Sequence, residues 1–323
     1  MGGNLLKTFN LPEKRIPRSE YEILCKTLLD FFSSVIIGDF KIGIAPHVRN
    51  KADFGDIDLI IGSDELKLKD NNLQYSLKDF IEKIFKYTPH INDKTFSFPY
   101  CDFQVDIKVV DLKSFDGHFA YSSWGDCSNL MGTIFKRLNL SLTHKGLVKR
   151  VHRENVVLLT NYLDICNYGG FDGEKWKAGF ESQEEVFQFI YNSEFFDSKI
   201  FQLKELNSEN RSRNSKRTMY MNFLDFISKM PYKEFQFKTV SEYEEEQTKQ
   251  FAALKMAKER LQEELSLSKI EKSRFNGFLA QEWTGLRGKK LGDLIKKFNS
   301  LYDVRLMSDE QVKTEFLKLY GNK

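Results

Sequence analysis

Cysteine is scarce and scattered: Cys25, Cys101, Cys127 and Cys166 are the only four in 323 residues, with no Cys-x-x-Cys pair and no histidine close enough to complete a zinc site. Free thiols in a reducing compartment are therefore expected. Histidine is equally sparse, with five in the chain and no two at metal-ligand spacing, so His90, His118 and His144 read as surface or packing residues. No apolar run approaches the ~18 residues of a membrane helix, and the opening residues lack the basic stretch and apolar core of a secretion signal. A myristoylation motif is incomplete, because Leu6 stands where it needs Ser or Thr. These absences predict a soluble, intracellular, cytoplasmic protein with no membrane partner. Charge of one sign is also lacking: a net +3 is too mild to diagnose a polyanionic partner by itself.

Core-forming material is plentiful, with 41% hydrophobic residues and 29 phenylalanines, and the length suggests two domains. Helical spacing is expected over 21–36 and 77–85, and short apolar, β-rich runs over 40–44, 57–61 and 103–110. This order predicts an α+β catalytic domain over 1–150. Beyond it, helical stretches at 184–190 and 220–230 lead into a long amphipathic helix over 241–272, headed by a Ser241-x-x-Glu244 capping box. The second domain, 151–323, is expected to be mostly helical. Whether the long helix packs on its own chain or on a second copy is open, as is the oligomeric state.

The informative segment runs Arg49-Asn50-Lys51-Ala52-Asp53-Phe54-Gly55-Asp56-Ile57-Asp58-Leu59-Ile60-Ile61. In a strand, residues two apart share a face, so Asp56 and Asp58 project together while Ile57, Leu59 and Ile61 face the core. Paired carboxylates repel unless a cation lies between them, and hard oxygen ligands suit magnesium. A second apolar strand, Gln104-Val105-Asp106-Ile107-Lys108, supplies Asp106, and adjacent strands about 4.8 Å apart bring it within reach. Three such carboxylates are what a two-metal phosphoryl-transfer site requires, with Mg2+ (or Mn2+) as the ions.

These residues resemble the nucleotidyltransferase superfamily, and within it the family X, polymerase-beta-like DNA polymerases. The Gly55-Asp56-Ile57-Asp58 core matches, as does the basic stretch at Arg49 and Lys51, although Asn50 stands where the family has glycine. Ala45 and Pro46 replace the family's Gly-Ser phosphate turn, and proline has no amide to donate. In its place, His47 or neighbouring amides are candidates. Further on, Tyr121-Ser122-Ser123-Trp124-Gly125-Asp126 with Asn129 is similar to the family's segment beside the incoming nucleotide. The resemblance covers about residues 40–147. It implies a palm-like mixed sheet, metal ligation by Asp56, Asp58 and Asp106, and nucleotide contacts from Arg49, Lys51, Gly55, Tyr121, Asp126 and Asn129.

The second half adds basic clusters. Arg211, Arg213, Lys216 and Arg217 outnumber Glu209 in NSENRSRNSKR, and phosphate contact or a solvated loop are the two readings. Lys149, Arg150, His152 and Arg153 form another cluster. Near the end, Gly285, Gly288 and Gly292 suggest helix, glycine turn, helix, with Lys289 and Lys290 able to meet a backbone phosphate. The expected activity is transfer of a nucleoside monophosphate from a triphosphate to a nucleic-acid 3′ hydroxyl, DNA or RNA, templated or not. The alternatives are nucleotidylation of a small molecule or protein, and a catalytically silent nucleic-acid-binding or scaffold protein.

Overall fold

In DIDLIIG and FQVDIKVV, alternation puts Ile57, Leu59 and Ile61, and Val105 and Ile107, on one face, and all five are fully buried. In the computed structural model, which describes residues 4–71 and 73–321, these two runs are central strands of a mixed sheet. A 3₁₀ turn over Asn4–Phe9 leads to β1 (Ile16–Pro17), α1 (Arg18–Val35), β2 (Ile36–Ile37), β3 (Lys41–Ile44), β4 (Asp53–Phe54) and β5 (Asp56–Gly62). Then come β6 (Lys67–Asp70), β7 (Leu73–Tyr75), α2 (Leu77–Ile84), β8 (His90–Asn92), β9 (Thr95–Tyr100) and β10 (Phe103–Val110). The main sheet has the order β3-β5-β10-β9-β8, with β5 and β10 parallel and the other pairs antiparallel.

The two faces of this sheet are covered differently. Phe32 of α1 and Phe80 and Ile81 of α2 pack with Ile57, Leu59, Phe98 and Val105 in one continuous core. On the opposite face, Phe115 and Phe119 of α3 (Phe115–Ser122) lie over Ile60 and Val110. They fit because Gly43 and Gly62 leave room: a Cβ added at either would come within 2.8 Å of a phenylalanine carbon. The other half of that face, carrying Asp56, Asp58, Gln104 and Asp106, is left to polar surroundings.

The chain continues through α4 (Cys127–Arg137), a three-stranded antiparallel sheet of β11 (Ser141–Thr143), β12 (Gly146–Val151) and β13 (Glu154–Leu159), then α5 (Tyr162–Tyr168), α6 (Gly173–Ala178) and α7 (Gln183–Tyr191). Next are α8 (Ser208–Asn214), α9 (Thr218–Ser228) and α10 (Val240–Gln250). Leu130, Ile134 and Phe135 of α4 share one core with Phe187 and Ile190 of α7 and Phe223 of α9. The segments before and after residue 150 are thus inseparable. The chain parts into two compact units at Gln250, Met1–Gln250 and Phe251–Lys323, and not at the boundary expected near 150.

That parting also interrupts the helix expected over 241–272. It is two helices, α10 and α11 (Ala252–Arg274), with Phe251 between them. Tyr243 and Gln247 are buried in the first unit, where the Gln247 amide donates to the Leu138 carbonyl at 2.7 Å. The capping box lies two residues earlier than expected, on Thr239 and Glu242: the Thr239 amide donates to Oε2 of Glu242 at 2.8 Å, and the Glu242 amide to Oγ1 of Thr239 at 3.3 Å. The second unit adds α12 (Gly277–Thr284), α13 (Gly288–Leu301) and α14 (Asp309–Gly321) around Phe275, Leu294, Phe298, Val312 and Phe316. Gly285, at φ +70°, ends α12 and Gly288, at φ +59°, opens α13, as the glycine spacing predicts, while Gly292 lies inside α13. Among the described residues no helix is long and apolar enough to cross a membrane.

Candidate active site

The β5–β10 register sets the carboxylates side by side. Asp58 and Asp106 are direct partners across the parallel pair, and Asp56, two residues earlier, is opposite Gln104. All four side chains therefore project to the same face. The Asp58 side chain is reached by solvent only through the cleft it lines, packed round by protein, whereas Oδ1 of Asp106 is buried without a hydrogen-bond partner among the described residues. The other oxygen, Oδ2, accepts from Nε2 of Gln104 at 2.8 Å, and Oε1 of Gln104 accepts from the Leu5 amide at 3.1 Å. Gln104 is thereby fixed from the N-terminal 3₁₀ turn and orients the third aspartate.

Their electrostatics show the strain of crowding. Desolvation at the base of the cleft, then the charges of Asp56 and Asp106, push the Asp58 carboxyl up to about 7. Burial raises the Asp106 pKa as well, in spite of the opposing pull of Ser97, its partner on β9, and of Gln104. Among the described residues no three His, Cys, Asp or Glu side chains are gathered in coordinating geometry. The donor set nevertheless fits a hard divalent cation: three carboxylates on one face, two with ionisation opposed by desolvation and like charge, and one buried oxygen of Asp106 that has no hydrogen-bond partner among the described residues.

A cleft of about 850 Å³ opens over Asp56, Asp58 and Gly55. Five basic side chains line it, Arg15, Lys51, Arg213, Lys216 and Arg217, against the acidic Asp56, Asp58 and Asp126. Lys51 is held with its Nζ 4.3 Å from the centre of the Phe54 ring, which is itself stacked on Tyr21 at 3.7 Å. Burial lowers the Lys51 pKa against the pull of Asp56. Arg15 is paired with Asp53, and Arg217 with Asp126. Arg213 and Lys216 are exposed and carry no acidic partner among the described residues.

The loop before β4 is used differently from what its sequence suggests. The Arg49 amide donates to the Phe180 carbonyl at 3.0 Å, the Asn50 amide to Glu181 at 2.7 Å and the Lys51 amide to Val48 at 3.1 Å. These amides are thus unavailable to a phosphate. The Arg49 side chain is equally engaged, with Glu181 and, at 2.6 Å, the Ala178 carbonyl, and it is not among the residues lining the cleft. Pro46, which has no amide, contributes its carbonyl, accepting from the Trp124 amide at 2.8 Å. Trp124, at φ +64°, and Gly125, at φ +69°, make a left-handed turn, secured by the Trp124 ring packed edge-on against Phe180 at 5.5 Å.

The expected nucleotide segment is split by this turn. Asp126 lines the main cleft, whereas Tyr121, at the end of α3, and Asn129, in α4, line a second cavity of about 480 Å³. The basic cluster divides too: Arg213, Lys216 and Arg217 face the aspartates, but Arg211 donates to the Leu206 carbonyl at 3.0 Å and lines neither cavity. Lys149 is buried, donating to the Asn139 carbonyl at 3.0 Å beside Glu244, so it braces β12 and does not line either cavity. Lys289 and Lys290 stand exposed in the first turn of α13, in the second unit. Sequence reading missed Gln104 and Arg15. A glutamine two residues before Asp106 was the available signal for the first; nothing local marks the second.

Comparison with protein-family models finds no match for this chain, and comparison with curated proteins finds none.

Proposed function

We propose that the protein is a metal-dependent nucleotidyltransferase of polymerase-beta type, moving a nucleoside monophosphate from a nucleoside triphosphate to a nucleic-acid 3′ hydroxyl. One observation carries this reading: Asp56 and Asp58 share a single cleft of about 850 Å³ with Arg213 and Lys216, cations that have no acidic partner among the described residues. Carboxylates suited to cations and cations suited to phosphates, facing each other across a space of ligand size, match the charge pattern of a metal–triphosphate. Asp56, Asp58 and Asp106 would hold two magnesium ions, which supply activation of the attacking hydroxyl and neutralisation of the leaving pyrophosphate.

The chain's own side chains do the rest. Arg213, Lys216 and Arg217 grip the β- and γ-phosphates, taking the place of backbone amides that the 49–51 loop has already committed. Asp106, held by Gln104, accepts the proton of the attacking 3′ hydroxyl. The oxygen then bonds to the α-phosphorus as the bond to the β-phosphate oxygen breaks, and pyrophosphate departs.

Incubating the protein with labelled single-stranded and primed DNA and RNA, one nucleoside triphosphate at a time, and Mg2+ or Mn2+ tests the reading. Extension is expected, and its dependence on a complementary template separates a polymerase from a tailing enzyme. If label goes only to small molecules or protein, the acceptor class is wrong; if it goes nowhere, the enzyme reading fails.

A further inference from the structure

We infer that the second cavity, of about 480 Å³, seats a nucleotide unit near the 3′ end of a single-stranded acceptor, and so makes the protein an enzyme that works on unpaired ends. This deepens the proposed nucleotidyl transfer and rests on it.

The charge of the cavity comes first. Lys136 and Arg137, in the last turn of α4, and Arg213, in α8, line it against Glu205 alone. All three cations are exposed and none has an ion-pair partner among the described residues. Unpaired cations converging on a concavity favour phosphate. The incoming triphosphate cannot be the target of Lys136 and Arg137, because its metal ligands, Asp56 and Asp58, line the other cleft, which has Lys51, Arg213, Lys216 and Arg217 for its phosphates. A second set of cations calls for a second source of phosphate, and in this reaction only the acceptor provides one.

Connection and shape follow. Arg213 lines both spaces, so a strand whose last sugar presents its hydroxyl over the aspartates has its next phosphates beside the second cavity. That cavity, of about 480 Å³, is of single-ligand size, walled by α4 on one side and the 205–214 segment on the other, a volume that suits one nucleotide unit and not a duplex. Its remaining polar lining is suited to base edges. The Asn129 side chain donates one long hydrogen bond, to Oδ1 of Asn214 at 3.5 Å, and the Asn210 side chain has no partner among the described residues. Amides carry both donors and acceptors, which suits the unstacked bases of single strands.

Fluorescence polarisation with labelled single-stranded DNA and RNA oligonucleotides, titrated across salt, tests this on the full chain. Lys136→Glu with Arg137→Glu is expected to weaken oligonucleotide binding by about tenfold or more and to flatten the slope of log affinity against log salt by about 1 to 2. The KM for the nucleoside triphosphate is expected to stay within about twofold. Lys26→Glu with Lys69→Glu, the same charge change on other exposed lysines, serves as the control, and Lys136→Gln with Arg137→Gln should show a smaller loss in the same direction. Equal binding in the charge-reversed variant and the control overturns the inference, as does a preference of the wild type for duplex over single strands. Extension by the wild type alongside unchanged oligonucleotide affinity in the variant would remove this inference and leave nucleotidyl transfer standing. Variant-sensitive oligonucleotide binding without any extension would do the opposite.

Discussion

Asp58 carries a penalty in the metal-free protein, since desolvation and two neighbouring carboxylates oppose its ionisation. Replacing it by asparagine keeps the shape and removes the charge. Asp58→Asn is therefore expected to raise the melting temperature of the metal-free protein at neutral pH while reducing nucleotide transfer by ~10³-fold or more. Calorimetry and the extension assay, run on the same preparation, check both directions. A second residue-scale consequence concerns His118, which is buried and stacked on His144 at 4.0 Å. Burial, then His144 and Lys108, lower its pKa to about 4 from an ordinary 6.5. Between those values the unfolded chain binds the proton and the folded one does not, so this contribution to stability is complete above about 6.5 and is lost as pH falls toward 4. His118→Phe keeps an aromatic ring in the stack and should flatten denaturation midpoints measured across that range; an unchanged pH profile would place the titration elsewhere.

At the scale of elements, Asp56 and Asp58 open to a cleft, with Asp106 beside Asp58 on the same face but outside the cleft lining, because α3 covers only half of that sheet face. Gly62→Ala would put a methyl group 2.8 Å from Cβ of Phe115 and force α3 outward. An overpacking cost of about 1–3 kcal/mol is expected in urea unfolding. Strands and helices of this region were legible in the sequence because alternation at Asp56–Ile61 and helical spacing at Leu77–Ile84 are strong local signals. The carboxylate face was legible for the same reason, since a period of two fixes which side chains travel together. Local signals say nothing of what fills the space opposite. Arg217 meets Asp126, and Arg213 and Lys216 face Asp56, only because α8 and α9 fold back over the sheet; Arg49, beside the aspartates in sequence, is instead drawn to Glu181. The Ser241 capping box failed against Thr239 because both fit the same Ser/Thr-x-x-Glu pattern, and only the burial of Tyr243 and Gln247 fixes where α10 begins.

For the whole molecule, the decisive boundary lies at Gln250, where a single residue between two helices separates two hydrophobic cores. A period of 3.6 runs on through Phe251, so the sequence reads as one helix. A chain ending at Gln250 keeps all three hydrophobic clusters of the first unit, both cavities and all three aspartates. It is expected to unfold cooperatively, with the near-ultraviolet circular dichroism of a packed protein; a molten, dye-binding product would show that the first unit depends on the second. Manganese binding bears most directly on the central claim, that three aspartates and a basic wall form one site for a metal–triphosphate. Titrating Mn2+ by electron paramagnetic resonance, with a non-hydrolysable nucleoside triphosphate present, should reveal tight binding to the wild type. That binding should be lost in Asp56→Asn with Asp58→Asn and weakened in Arg213→Glu with Lys216→Glu. Equal Mn2+ binding by the wild type and the double aspartate variant would contradict the account.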